Sequence, residues 1–185
     1  VTKSVPLSAC GYEEHNANLE RLDTLTVSLA MAVSASDGSM DEAEGDVIRD
    51  WLTKRVNSIS RDDESQAKEK RRLNGVVATA YQAASGGNLE MEAVCSEIVK
   101  ITGPGERYDI LELCLHVAAA DDKADESELS LIRQLAGWLQ VNFERLRAME
   151  EKFLPVAMHL EADNVEGILG ISPDMSSEEI RKLLN

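Results

Sequence analysis

The sequence is poor in aromatic residues, which make up only 4% of its 185 residues. Since 43% of the residues are nevertheless apolar, the core must consist mainly of Leu, Val, Ile, Ala and Met. These side chains suit helix packing better than a β-sandwich or a barrel. No sustained alternation of β-branched and polar residues occurs in the sequence. The sequence therefore predicts an all-α fold.

Long apolar runs are absent, and cysteines are few. No run is long enough to cross a bilayer, and no charged-then-apolar signal segment opens the chain. The three cysteines, Cys10, Cys95 and Cys114, are odd in number and widely spaced, which argues against a disulfide framework or a zinc site. Cys95 and Cys114 lie on apolar helix faces. We expect reduced core thiols and a cytoplasmic protein.

Basic residues are scarce. The sequence contains 19 Lys and Arg residues and 34 Asp and Glu residues, which gives a formal net charge of −15. Nucleic acid is not an expected partner, since phosphate neutralisation needs concentrated Lys and Arg. Residues 68–72 form the one basic cluster, which we interpret as a solvated helix face. The acidic excess fits a cation binder, a protein partner with a basic surface, or simple solubility.

Catalytic patterns are also missing from the sequence. The three histidines, His15, His116 and His159, are scattered, and no Ser or Cys stands beside a base in a recognisable motif. No Walker loop and no dinucleotide-binding glycine fingerprint is present. We therefore do not expect an enzyme.

An acidic turn occurs twice, at residues 35–44 and at residues 119–128. A constant offset of 84 residues, from position 37 to position 121, superposes four acidic residues of each copy: Asp37 on Asp121, Asp41 on Asp125, Glu42 on Glu126, and Glu44 on Glu128. An apolar helical stretch precedes and follows each copy. The sequence predicts a single helical bundle of about seven to eight helices in two pseudo-repeated halves.

The helical pattern extends over residues 14–155, which we predict to be one domain beginning with a helix at Glu14. The Gly/Pro cluster at residues 102–105 is the predicted join between the halves. Asn88 and Asn142 are predicted caps of the helices that follow them. Residues 156–185 are predicted to be a linker and a short helix.

The acidic turns have a structural interpretation as helix caps. Asp41 with Glu44, and Asp125 with Glu128, fit capping boxes in which Glu reaches back to the amide of Asp. Each cap contributes on the order of 1 kcal/mol, so helix termination alone accounts for these carboxylates. Gly38 then caps the C-terminus of the preceding helix.

Capping does not explain Asp37 and Asp121. Each is expected at a helix C-terminus, where a carboxylate faces the negative pole of the macrodipole at a cost of about 0.3–1 kcal/mol. A bound cation reverses the sign of that cost, and Ca²⁺ and Mg²⁺ prefer carboxylate and carbonyl oxygens. The spacing is not that of an EF-hand, because Ile48 stands where the bidentate Glu belongs. Both interpretations remain open from the residues alone.

The pattern Ala-x-Asp-Gly-x-x-x-x-x-Glu between two amphipathic helices resembles the signature of the TerB-like domain, named for a bacterial tellurite-resistance protein. A related domain forms part of a membrane-anchored DnaJ-type co-chaperone. The resemblance covers roughly residues 19 to 154. It rests on four residues of the first copy and three of the second: Ala35, Asp37, Gly38 and Glu44, then Ala119, Asp121 and Glu128. Ser36 stands where the family more often has Ala, and Asp122 replaces the glycine of the second copy.

The resemblance implies an all-helical fold of two related halves, with a role in bacterial stress response and tellurite resistance. It implies that acidic residues hold a divalent metal, for which the oxygen ligands favour Ca²⁺ or Mg²⁺. The leading hypothesis adds an unidentified protein partner. The residues to which a metal role carries over are Asp37, Asp41, Glu44, Asp121, Asp125 and Glu128. A pure protein-interaction or scaffolding domain, with carboxylates acting only as caps, is the alternative.

Residues 164–184 are similar to the opening of a J domain, with Ser176 and Glu179 as a capping box. The sequence contains no His-Pro-Asp tripeptide, so J-domain activity is not carried over. An ordinary helix docked on the main domain is the favoured interpretation, and a co-chaperone fragment is the other.

Overall fold

The computed structural model describes residues 9–38, 40–59, 62–120 and 124–154. This part of the chain contains seven α-helices and no strand, which confirms the all-α prediction. The helices are α1 (Ala9–Ser34), α2 (Glu42–Ile59), α3 (Asp63–Ser85), α4 (Met91–Ile101), α5 (Pro104–Ala118), α6 (Glu126–Trp138) and α7 (Phe143–Phe153). No helix among these residues is both long and apolar enough to span a membrane. The predicted linker and J-like helix at 156–185 lie outside the described residues.

Two predicted helix starts are wrong. The first helix does not start at Glu14, because residues 9–13 are already helical. Elongating an existing helix costs little, and no Pro interrupts these residues. Asn88 does not cap α4, whose N-cap is Glu90 without a side-chain bond. The Asn88 amide instead donates to the Ala83 carbonyl at 3.0 Å, so Asn88 belongs to the C-terminal end of α3.

Other predicted helix ends are confirmed. The Asn142 side chain accepts a hydrogen bond from the Arg145 amide at 3.1 Å and caps α7. The Gly/Pro cluster ends α4 and begins α5, with Gly103 as N-cap and Pro104 in the first turn. Proline is well suited to that position because a backbone N–H in the first turn has no partner inside the helix, so the helix loses no hydrogen bond when it is absent.

The core consists of two apolar clusters that share α1 and α5. In the first, Leu29 and Val33 of α1 pack with α4, α5 and α6. In the second, Val27 and Met31 of α1 pack with α2, α3 and α5. α5 is buried around most of its circumference for this reason, as expected of a central helix. The two helices that precede the acidic turns are therefore the two central helices of the bundle.

Cys95 and Cys114 lie inside the first cluster and are free thiols, as their positions on apolar faces predict. Burial raises the pKa of both thiols to about 12, with the neighbouring Cys95 adding to the shift at Cys114. Both side chains are therefore neutral core residues at physiological pH. The side chain of Cys10 lies outside the described part of the chain.

A buried ion-pair network connects α1, α2 and α3. Asp23 of α1 is only 3% exposed. Its carboxylate accepts from Arg55 Nε of α2 at 2.7 Å and from Arg72 Nη2 of α3 at 3.3 Å. Arg72 also binds Glu69 on its own helix. The network fixes the relative positions of these three helices.

Candidate functional site

The first acidic turn begins where α1 ends. Gly38 has a φ of +99°, a conformation that side chains with a Cβ rarely adopt. Its amide donates to the Ala35 carbonyl at 3.1 Å and closes the turn. Gly38 therefore reverses the chain after α1, as the capping interpretation predicts. Asp37 lies directly before it, inside the same turn.

The first capping box is present in full. The Glu44 amide donates to Asp41 Oδ1 at 2.8 Å, and the Asp41 amide donates to Glu44 Oε2 at 2.8 Å. Ser34, which is completely buried at the end of α1, also donates its hydroxyl to Glu44 Oε2 at 3.0 Å. Glu44 thus connects the end of α1 to the start of α2. Sequence reasoning missed Ser34, although a polar residue ending an apolar helix face was an available signal.

The second turn repeats the box at the start of α6. The Asp125 amide donates to Glu128 Oε2 at 2.9 Å. Asp125 Oδ1 accepts from the Ser127 hydroxyl at 2.6 Å and from the Ser127 amide at 2.8 Å. These bonds hold the pKa of the Asp125 carboxyl below its usual range. Both predicted capping boxes are confirmed, while Asp121 lies outside the described residues.

The buried glutamates of the two boxes meet. Glu44 and Glu128 are 8% and 3% exposed. Burial raises the pKa of Glu128 to about 8, opposed by the amide of Asp125 and reinforced by a hydrogen bond to Glu44 and by the charges of Glu44 and Asp37. Burial next to a second carboxylate favours the neutral form of a carboxyl group, so Glu128 holds a proton more readily than an exposed glutamate does.

Two buried side-chain oxygen atoms, one in each acidic-turn unit, have no hydrogen-bond partner among the described residues. One is Oε1 of Glu128, and the other is the hydroxyl oxygen of Ser36 in the first turn. An ionised Glu128 leaves its Oε1 without a donor, whereas a protonated Glu128 carries a donor of its own. Unsatisfied buried oxygens are rare in folded proteins and mark places where a proton, water or ion is needed.

The arrangement suits a hard cation chemically but does not by itself form a complete ligand set. Glu44, Glu128 and the charge of Asp37 converge, and Ca²⁺ and Mg²⁺ take such oxygen ligands. Within the described ranges, however, no group of three or more His, Cys, Asp or Glu side chains is arranged to hold a metal ion. Asp41 and Asp125 act as caps through their side chains. The metal role of the six predicted residues remains a prediction.

These features define a class of protein: a helical bundle in which two helix–acidic turn–helix units bring a buried glutamate from each unit together. The family model for "Tellurite resistance protein TerB" matches residues 23–151, from α1 into α7 and across both turns. The chain belongs to the TerB family, which confirms the resemblance noted in the sequence. Comparison with curated proteins and with solved structures gives no match.

Proposed function

We propose that this protein is a non-catalytic TerB-family module that binds a divalent cation, Ca²⁺ or Mg²⁺, at its paired acidic turns. In this proposal it acts in the bacterial cytoplasm, recruits a partner protein, and serves a stress response of the tellurite-resistance kind. One observation carries the cation-binding part: Glu44 and Glu128, from different turns, converge in a buried place where the charge of Asp37 also acts.

The convergence exceeds what helix capping requires. A capping box uses one Glu oxygen on the amide of its own Asp, and each of these boxes satisfies that need separately. Bringing two such carboxylates together in a buried place adds repulsion and desolvation. A divalent cation offsets both costs, because its charge neutralises the pair and its coordination sphere takes the unpaired oxygen.

Calorimetric titration of the full chain with Ca²⁺, Mg²⁺ and Mn²⁺ tests this proposal. We expect a saturable heat for the wild type, and a loss of affinity of about tenfold or more in Glu128→Gln, which keeps the shape but removes a ligand charge. Asp37→Ala and Asp121→Ala should also weaken binding. Glu42→Gln is the matched control, because Glu42 is an exposed acidic residue at the start of α2. Absence of heat and of any thermal shift at millimolar metal would remove the cation-binding proposal.

The scaffolding alternative is favoured by the two intact capping boxes. It assigns the carboxylates a purely structural role, so Asp41→Ser, which keeps a capping oxygen and discards the charge, should leave stability and partner binding unchanged. Under the cation-binding proposal the same variant loses affinity for the metal while α2 remains capped. Calorimetry and thermal unfolding of this variant with and without Ca²⁺ separate the two functions.

A further inference from the structure

A surface groove lies between α2 and α5. We call it the α2–α5 groove. Its main part, a cavity of about 430 Å³, is formed by one stripe of α2 (Val47, Asp50, Trp51, Lys54) and one stripe of α5 (Asp109, Glu112, Leu113, His116). Both stripes repeat at steps of three and four residues, as two helices with facing sides require.

The groove continues along α2 toward α1. Trp51 and Asp109 also line a second cavity, which shares Arg55 with a third. From Val47 to Ser58 the lining side of α2 measures about 16 Å, the length of about three helical turns. This elongated shape fits a helix of a partner better than a compact small molecule.

The groove has an apolar floor and an acidic rim. Trp51 and Val47 are half-buried, and Leu113 below them is buried. Asp50 and Asp109 on the rim are exposed, and among the described residues neither forms an ion pair. Buried Asp23 differs, because two arginines hold it.

The rim favours a positively charged occupant. The lining of the main cavity contains one lysine, Lys54, and three acidic residues, Asp50, Asp109 and Glu112. His116 lies 3.8 Å from Glu112 and offsets at most one of these charges. Cationic side chains therefore gain energy at this rim, and an Arg or Lys over the indole of Trp51 adds a cation–π contact.

Three alternative pairings are less well matched. The larger cavity between α2 and α3, about 590 Å³, has Arg49 and Lys70 in its lining, so a basic helix is not favoured there. The chain's own residues 155–185 contain six acidic side chains against two basic ones, Arg181 and Lys182, and are repelled by the rim. A second copy of a chain with net charge −15 is disfavoured on the same ground.

We propose that the α2–α5 groove binds a basic amphipathic helix of a partner protein, with apolar side chains on Trp51 and Leu113 and Lys or Arg side chains on Asp50 and Asp109. This inference rests on the partner-recruitment part of the proposed function and gives that partner a chemistry. It is independent of the cation-binding part.

The test uses the full chain with Trp138→Phe, so that Trp51 is the remaining tryptophan and reports on the groove. The probe is a synthetic amphipathic helix of Leu and Lys, titrated while Trp51 emission is recorded. We expect a saturable shift, with Kd rising about tenfold or more between low and high salt because rim charges are screened. A Leu/Glu peptide of the same pattern should not bind.

Paired variants locate the binding. Asp50→Asn with Asp109→Asn should raise Kd about tenfold or more, by removal of two rim charges. Glu92→Gln with Glu144→Gln removes two exposed charges of α4 and α7 that line none of these cavities, and should leave Kd unchanged. Circular dichroism confirms that both double variants fold. Equal Kd values for the two double variants would overturn the groove assignment.

Occupation of the groove by the chain's own C-terminal segment is a separate outcome. Leu183→Asp with Leu184→Asp would then release the groove and tighten peptide binding, which would also overturn the proposal; we expect no change. Cation titrations are run on the same proteins. If the wild-type protein binds the cation but not the peptide, the groove proposal is refuted and the cation-binding proposal stands. If it binds the peptide but not the cation, the cation-binding proposal is refuted and the groove proposal stands.

Discussion

Glu128 closes a capping box with one carboxyl oxygen and leaves the other buried beside a second carboxylate. Oε2 accepts the amide of Asp125 and closes the capping box of α6. The other oxygen has no partner in the described structure, and the carboxyl group meets Glu44. A glutamate that only capped its helix would turn its second oxygen to solvent. The residue is therefore the most informative single position of the candidate site.

Glu128 predicts an unusual dependence of stability on pH. Its pKa is about 8 in the folded protein against 4.5 as the ordinary value, so the folded state binds the proton more tightly than the unfolded state does. The resulting stabilisation is complete below about pH 4.5 and is lost as pH rises toward about 8, by at most about 1.4 kcal/mol per pH unit. Urea unfolding with EDTA present, at several pH values in this window, measures the slope.

Glu128→Gln should remove this slope, because the amide does not titrate. Asp23, whose pKa is also raised by burial, is present in both proteins, so the difference between them isolates Glu128. Glu126→Gln, a change at an exposed neighbour, is the control and should keep the wild-type slope. Parallel profiles for wild type and Glu128→Gln would show that the buried pair holds no proton.

At the scale of helices, the carboxylate of Asp23 connects three helices through ion pairs. α1 supplies the acid, and α2 and α3 each supply an arginine. Since α2 also provides a capping box and one wall of the α2–α5 groove, its position determines both proposed sites. The network is therefore a positioning device, distinct from the candidate cation ligands.

Asp23→Asn should lower the free energy of unfolding by about 1–3 kcal/mol, because the loss of a charged partner for two arginines outweighs the relief of the desolvation that raises the pKa of Asp23. The matched control is Glu97→Gln, which breaks the exposed pair with Arg21 and should cost less than about 1 kcal/mol. Urea unfolding measures both. Equal losses in the two variants would contradict the role given to Asp23.

At the scale of the whole molecule, α1 and α5 take part in both apolar clusters. The two clusters therefore cannot separate without exposing the central helices, and one cooperative unit is expected. Each cluster contains its own reporter, since Trp138 packs against the first and Trp51 against the second.

Thermal unfolding followed by fluorescence in Trp51→Phe and in Trp138→Phe should give coincident transitions. Leu115→Ala, at a fully buried position of α5, should lower both midpoints together and cost about 2–5 kcal/mol. Phe143→Ala is the control at an exposed position and should have a small effect. Separate transitions for the two tryptophan reporters would mean that the two apolar clusters unfold independently.

The sequence alone determined the helices, most of their ends and the pairing of acids within each turn. These features depend on interactions between residues a few positions apart, so they can be predicted from the sequence. Examples are the apolar periodicity, the turn at Gly38, the cap at Asn142 and the Asp–Glu spacing. Failures at this level, such as Asn88, occurred where a residue could serve the helix before it or the helix after it.

Only the tertiary structure decided which side chains meet across the bundle. Residues far apart in sequence come together at three places. Glu44 lies close enough to Glu128 to raise its pKa, and Asp23 lies buried between two arginines. Helices α2 and α5 form the walls of the α2–α5 groove. Reasoning from the sequence found Asp37 and Asp121 unexplained by capping, whereas in the described structure the buried carboxyl group with an unpartnered oxygen is that of Glu128. The physical reason is that the shared packing of α1 and α5, rather than any local pattern, brings the two turns together.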